Sequence, residues 1–279
     1  MQHSGFAAFA AETGGIIDSE SLTIETALAN LQGTDLGDRY YAAWWLGRFR
    51  VNRPAVVDAL IATLTDECDR TPDGGYPLRR NSAKALGKLG DQRAVPALID
   101  CLTCTDYYVR ESAAQALGKL ADRAAIAPLT QLLAGGVAAA QPIAGCPHLT
   151  QPYDATIEAL GLLGATTALD LIHPFLAHPV ELVQYATARA LYQLTGQASY
   201  GDHLIAALAG DQLQLRRAAL ADLGAIGYLP AAEAIAQTLA ENSLKLIALK
   251  GLLETQVTQT ATPLPAGAVQ VMQLMDQLL

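Results

Sequence analysis

The segment "DRTPDGGYPLRRN" (69–81) packs two acids, three arginines, two prolines, two glycines and a tyrosine into thirteen positions of an otherwise alanine- and leucine-rich chain. Two similarly polar or aromatic stretches lie further along, "TCTDYYVRE" (103–111) and "AGGVAAAQPIAGCPHLTQP" (134–152), and "RYYAAWWLGRF" (39–49) holds five of the sixteen aromatic residues. Guanidinium groups at Arg48, Arg70 and Arg80 suit an anionic ligand or a charged partner. On a helix Tyr40, Trp44 and Gly47 share one face and Tyr41 and Trp45 another, and only one of these can pack on its own repeat. The other meets the N-terminal segment, a partner or a flat ligand.

Other chemistries lack their residues. No histidine is followed by glutamate, no H-E-x-x-H occurs, and neither a G-x-S-x-G elbow nor a P-loop is present. The four cysteines are too few and too irregular for a disulfide framework, and the single C-x-x-C, Cys101 and Cys104, reads as buried thiol rather than zinc ligand. Cys68 and Cys146 stand in the polar stretches and are the better candidates for transient covalent chemistry.

The net charge of −9 argues against general binding to nucleic acid. Residues 39–123 nevertheless hold thirteen of the eighteen basic groups against ten acids, so an anionic ligand belongs in the first half. The N-terminus carries no signal-peptide pattern and no apolar run long enough to span a membrane, so a soluble, cytoplasmic protein is expected.

What positions these residues is a repeat. Segments such as "RRNSAKALGKLGDQRAVPALIDCL" (79–102), "VRESAAQALGKLADRAAIAPLTQLL" (109–133) and "LRRAALADLGAIGYLPAAEAIAQTL" (215–239) each read as helix, short turn, helix. The leucines marking the repeat fall at 46, 86, 117, 160, 191, 223 and 252, spaced by 40, 31, 43, 31, 32 and 29 residues. This period predicts an all-α, HEAT-like α–α solenoid with two long inter-repeat insertions, at 65–78 and 134–152. Seven positions before the marker, five of seven residues are basic, which makes Arg39, Arg79 and Arg110 repeat features and leaves Tyr153 as a departure beside an insertion. Successive joints emerge on one rim, bringing Asp69, Arg70, Asp73, Tyr76, Asp106, Tyr107, Tyr108 and His148 near one another. The expected organisation is a partly flexible segment (1–21), the solenoid (22–254), a linker (255–265) and a C-terminal helix (266–279).

"RYYAAWWLGRFRV", "DRTPDGGYPLRRN", "ALGKLGDQRAVPALI", "DYYVRESAAQAL", "PHLTQPYDATIEALG" and "DLGAIGYLPAAEAI" resemble the E-type subunit of the two-subunit bilin lyases over residues 22–254, both insertions included. The resemblance implies a heterodimer with a related F-type subunit that attaches phycocyanobilin, a linear tetrapyrrole, through a thioether to a cysteine of the apo-phycocyanin alpha chain, in some pairs reversibly. It implies the bilin as substrate, with no permanently bound cofactor. A related system acts on phycoerythrocyanin and also isomerises the bilin, and a non-catalytic clamp or chaperone solenoid is a further alternative. Under the resemblance Arg70, Arg80 or Arg48 would meet the propionates, and Asp69, Asp73 or Asp106, the candidate catalytic residues, would pair with the pyrrole nitrogens. Tyr76, Tyr107, Tyr108, Trp45, His148 and Tyr153 would wall the chromophore.

Overall fold

The computed structural model describes residues 22–258 and 264–279, and these form an all-α solenoid without a sheet. Seven helices stack side by side as the first member of each repeat: α2 (Leu36–Arg48), α4 (Pro77–Leu89), α6 (Tyr107–Leu120), α9 (Tyr153–Leu162), α11 (Glu181–Thr195), α13 (Leu213–Ile226) and α15 (Asn242–Thr258). Behind them lie the shorter second helices α3 (Pro54–Thr63), α5 (Val95–Cys101), α7 (Ile126–Leu132), α10 (Leu169–Ile172), α12 (Ala198–Ala207) and α14 (Ala232–Gln237). The N-terminal helix α1 (Ile24–Gln32) packs on α2, and α16 (Ala266–Asp276) packs on α15. The second insertion contains the one-turn helix α8 (Gly136–Ala139) and an isolated antiparallel bridge between Pro142 and Leu149.

The expected flexible segment 1–21 lies outside the described residues. So do 259–263 of the expected linker; ahead of them α15 continues to Thr258, past the boundary expected at 254.

The marker leucines are the inward faces of the first helices: Leu46, Leu86, Leu117, Leu160, Leu223 and Leu252 are fully buried and Leu191 nearly so. The glycine that follows five of the seven markers has a different purpose. A Cβ built on Gly47 would stand 2.7 Å from Ala85 Cα; on Gly87, 2.8 Å from Ala116 Cα; on Gly118, 2.9 Å from Ala159 Cα. Gly161 and Gly224 meet Ala190 and Ala248 in the same way, both at 2.8 Å. Consecutive first helices therefore touch backbone to backbone along a glycine–alanine seam. Consecutive second helices meet chiefly through the 3-10 turns that precede them, as between α3 and Gln92–Ala94. A double layer curves toward its more closely spaced side, which makes the first helices the concave wall.

Helix ends follow their local sequence. Gly90 closes α4 in the left-handed region at φ 77°. In the next repeat Ala121 takes the same role at φ 58°, a conformation costly for a residue with a Cβ. The residue seven before each marker ties its helix to the joint before it. Arg39 Nε donates to Leu31 O, Arg79 Nε to Asp66 O, Arg110 Nη1 to Cys104 O, Gln184 Nε2 to His178 O, Arg216 Nη1 to Gly210 O and Lys245 Nζ to Ala236 O. The basic residues at this position satisfy carbonyls in the last turn of the preceding helix or in the joint after it.

The seam gives the first prediction. Gly87→Val forces a side chain into the α4–α6 contact and lowers stability by about 1–3 kcal/mol, read as a fall in the thermal unfolding midpoint with helicity retained below it.

Candidate functional site

The first insertion is built around its own backbone. Thr71 N–H donates to Gly75 O at 2.9 Å and Gly75 N–H returns a bond to Thr71 Oγ1 at 2.8 Å. Tyr76 is buried; its hydroxyl donates to Glu67 Oε2 at 3.0 Å, and the Arg79 guanidinium carbon lies 3.9 Å from its ring centroid. That guanidinium also bonds Glu67, holding its carboxyl below the usual range. Arg70 and Asp73 lie exposed at the outside of the turn, with Arg70 5.8 Å from the Tyr76 ring.

Asp69 and Asp106 serve as caps. Asp69 Oδ2 accepts from Leu78 N–H at 2.5 Å, where α4 begins without a capping side chain of its own. Asp106 Oδ1 accepts from Tyr108 N–H at 2.8 Å to start α6, and Oδ2 accepts from Tyr76 N–H at 2.7 Å. One carboxylate thus fastens the first insertion to the next joint. Arg110 fastens that joint to the second insertion, through Thr150 O at 3.1 Å and Gln151 Oε1 at 2.9 Å.

A surface forms where the three joints converge. His148 lies against Tyr107 with ring centroids 4.1 Å apart and planes 9° apart, and Tyr108 meets the imidazole edge-on at 5.8 Å. Arg80 lies 5.3 Å from the Tyr108 ring centroid. His148 Nδ1–H donates to Leu149 O at 2.9 Å, which fixes the ring and leaves Nε2 outside that bond. Burial, then Asp154 and Glu111, raise the Tyr107 hydroxyl above its ordinary range. Burial and Asp154 likewise raise Glu111, with Lys84, Arg80 and His148 acting against them. The rim cluster thereby continues into the concave groove.

Inside the groove the charges fall in register. Two residues before each marker stand Trp44, Lys84, Gln115, Glu158, Arg189, Ala221 and Lys250; two after it stand Arg48, Lys88, Lys119, Leu162, Gln193, Ala225 and Glu254. Arg48, Arg50, Lys88 and Lys119 line a polar cavity of about 590 Å³ at the ends of α2, α4 and α6. None of these four cations has a carboxylate within ion-pair distance among the described residues. Arg50 is held at φ 51°, a strained backbone for arginine. Partial burial and the neighbouring Lys88 push the Lys119 ammonium down, and burial with Arg80 does the same to Lys84. Uncompensated cations crowded on a concave wall attract anions.

Comparison with known proteins gives the same direction. The HEAT-repeat family model matches residues 71–139, and the family described as PBS lyase HEAT-like repeat matches residues 38–66. The chain is 60% identical over 273 residues to the phycocyanobilin lyase subunit alpha of Nostoc sp., covering 97% of each chain. To the subunit of the same name from Microchaete diplosiphon it is 63% identical over 270 residues, 95% of this chain and 92% of that one. The chain belongs to the phycocyanobilin lyase alpha-subunit family. The solved complex of CpcE and CpcF of phycocyanin lyase from Nostoc sp. contains a chain of 60% identity that superposes with a TM-score of 0.89, covering 96% of this chain and 99% of that one. The bilin biosynthesis protein PecE of Mastigocladus laminosus is 47% identical over 235 residues, 84% of this chain and 82% of that one.

For a lyase subunit, the structure sorts the residues singled out by sequence. It brings Arg80, Tyr107, Tyr108 and His148 together and places Arg48 in the cationic cavity. Tyr153, expected as a ligand contact, is in the core with its ring on Phe175 and its hydroxyl against Thr150 Oγ1. Trp45, half-buried, packs on the core and on Phe49 with centroids 4.9 Å apart. Its neighbour Trp44 is the exposed one, stacked on Tyr41 at 5.5 Å and beside Lys84 and Lys88. Arg50, Lys84, Lys88 and Lys119 were not singled out from the sequence; aligning positions two before and after the marker collects all but Arg50. Cys101 is a buried thiol, pushed up to about 12 by burial and by Cys104. Among the described residues no cluster of histidine, cysteine and carboxylate is placed to hold a metal, and no helix is long and apolar enough to cross a membrane.

Asp106→Ala removes a cap and a bridge together and destabilises by about 1–3 kcal/mol. Amide hydrogen exchange at Tyr76 and Tyr108 accelerates in the variant, while amides of α13 remain protected.

Proposed function

We propose that the cationic wall formed by Arg48, Arg50, Lys88 and Lys119 receives the carboxylates of phycocyanobilin, with the conjugated system running along the concave groove. The chain is one subunit of a heterodimeric lyase that joins this bilin through a thioether to a cysteine of the phycocyanin alpha chain, its partner being a subunit of F type. The observation that carries the site is four cations on one concave surface with no acids paired to them. A propionate-bearing tetrapyrrole supplies the missing charge and fills a groove with Trp44 at its mouth. Identities of 60 and 63% to subunits named for phycocyanobilin support that bilin as the substrate.

Arg80, with Tyr107, Tyr108 and His148, forms the rim past which the acceptor reaches the chromophore in the groove. The exposed Arg70 and Asp73 face the acceptor or partner surface rather than the groove. Asp69 and Asp106 hold the insertions in place, and Tyr76 packs beneath them. The bilin passes through as substrate, in the cytoplasm and before or during phycobilisome assembly. Catalysis by such a subunit rests first on holding bilin and thiol in reacting geometry.

The double variant Lys88→Ala, Lys119→Ala, assayed with the partner subunit, raises the half-saturating bilin concentration about ten- to a hundredfold and changes kcat by less than about threefold. Unchanged half-saturation in the double variant contradicts the assignment.

A further inference from the structure

Beyond Lys119 the groove changes sign. Glu158 on α9 and Arg189 on α11 occupy the register of Trp44 and Lys84, one and two helices further along. Arg189 Nη1 lies 3.4 Å from Glu158 Oε2 and 3.0 Å from Asp222 Oδ1 on α13. The charged and titratable groups facing Glu158 are therefore Lys119 from α6, Asp154 one turn earlier on α9, Arg189 from α11 and Asp222 from α13. Of the bridged trio, Glu158 is the most exposed: its side chain is 32% exposed, against 14% for Arg189 and 8% for Asp222.

A purely stabilising network would present the guanidinium as a two-nitrogen fork to a carboxylate. Here both carboxylates share one nitrogen, while Arg189 Nε and the nearby Gln193 Oε1 are buried without a hydrogen-bond partner. The cluster is held together yet incompletely satisfied, and its accessible member opens onto the groove one helix from Lys119.

We propose that Glu158 carries the proton of the thioether step, at the inner end of the groove whose cationic wall holds the bilin. The inference rests on that placement of the bilin. Glu158 as carboxylate takes the proton of the acceptor cysteine thiol. The sulfur forms the S–C bond at the exocyclic carbon of the bilin's ethylidene group, and the π pair of that double bond moves to the adjacent ring carbon. Glu158 returns the proton to that carbon. The S–H bond and the C=C π bond are consumed, S–C and C–H bonds are formed, and the carboxylate is regenerated without an oxidant or reductant. Detachment is the same sequence reversed. A group serving both directions must exchange its proton near neutrality; burial foremost, with Asp222 and Asp154 adding to it and Arg189 and Lys119 opposing, pushes Glu158 up to about 7.

The test uses the reconstituted two-subunit lyase, phycocyanobilin and apo-phycocyanin, with attachment read from the absorbance of the denatured acceptor across pH 5.5–9 (a range of about three and a half units around the expected limb). Glu158→Gln is expected to lower kcat about a hundredfold, to leave half-saturating bilin within about twofold, and to abolish the limb near pH 7. Glu158→Asp restores part of the rate together with a limb. Asp222→Asn removes a negative neighbour, eases ionisation of Glu158 and moves the limb to lower pH; it decides the matter if Glu158→Gln fails to fold. A wild-type-like rate or a retained limb in Glu158→Gln overturns the proposal, as does an unmoved limb in Asp222→Asn. Those failures leave the bilin placement standing, since that is read separately from half-saturation in the Lys88, Lys119 variant.

Discussion

The closeness of one first helix to the next, glycine backbone against alanine backbone, is the constraint on which the rest of the molecule depends. Helices separated by ordinary side chains lie 8–10 Å apart, a spacing that glycine–alanine contact reduces toward its lower end. With only the first-helix layer compressed in this way, the solenoid bends toward it. Side chains two positions before and after the marker leucine then point into a shared groove, close enough for ionic contact from helix to helix. Arg189 reaches Glu158 on one neighbour within that register, and on the other the buried Asp222 directly before its marker. The seam is interrupted where Tyr192 replaces glycine in α11, and there the buried core divides into two clusters. The cationic cavity and Glu158 belong to the larger, N-terminal cluster's side of that division.

The groove's chemistry follows from charge placed in register rather than from any one motif. Its first three helices contribute cations without partners, and the next three contribute acids around one arginine. This arrangement costs the apo-protein stability through repulsion and desolvation, visible in the lowered Lys84 and Lys119 ammonium groups and the raised Glu111 and Glu158 carboxyls. Such a pattern is expected where the missing counter-charge arrives with a substrate. The insertions answer a different need: Asp69, Asp106 and Arg110 lock three joints together so that Tyr107, Tyr108 and His148 form one rigid rim.

The repeat was legible because its period is carried by leucine and alanine, whose burial is a property of single positions. The basic residues seven before the marker were legible as structure for the same reason, since they recur. The acids of the insertions were not separable into caps and catalysts, because an aspartate before a helix start has the same residue type in either role. Asp106 directly precedes α6, whereas Asp69 caps α4 from nine residues before Leu78, a distance that only the folded loop defines. Glu158 was invisible for a further reason: its character comes first from burial and then from Arg189, Asp222 and Lys119, which lie on three other helices and meet it only across the compressed seam.

The central claim, that the concave cations hold the bilin by its carboxylates, is tested most directly by changing the ligand instead of the protein. The two-subunit lyase is titrated with phycocyanobilin and with its dimethyl ester, which keeps the chromophore and removes both charges. With both propionates seated on the cations, the ester needs at least about a tenfold higher concentration for half-saturation. Equal half-saturation by acid and ester would contradict it.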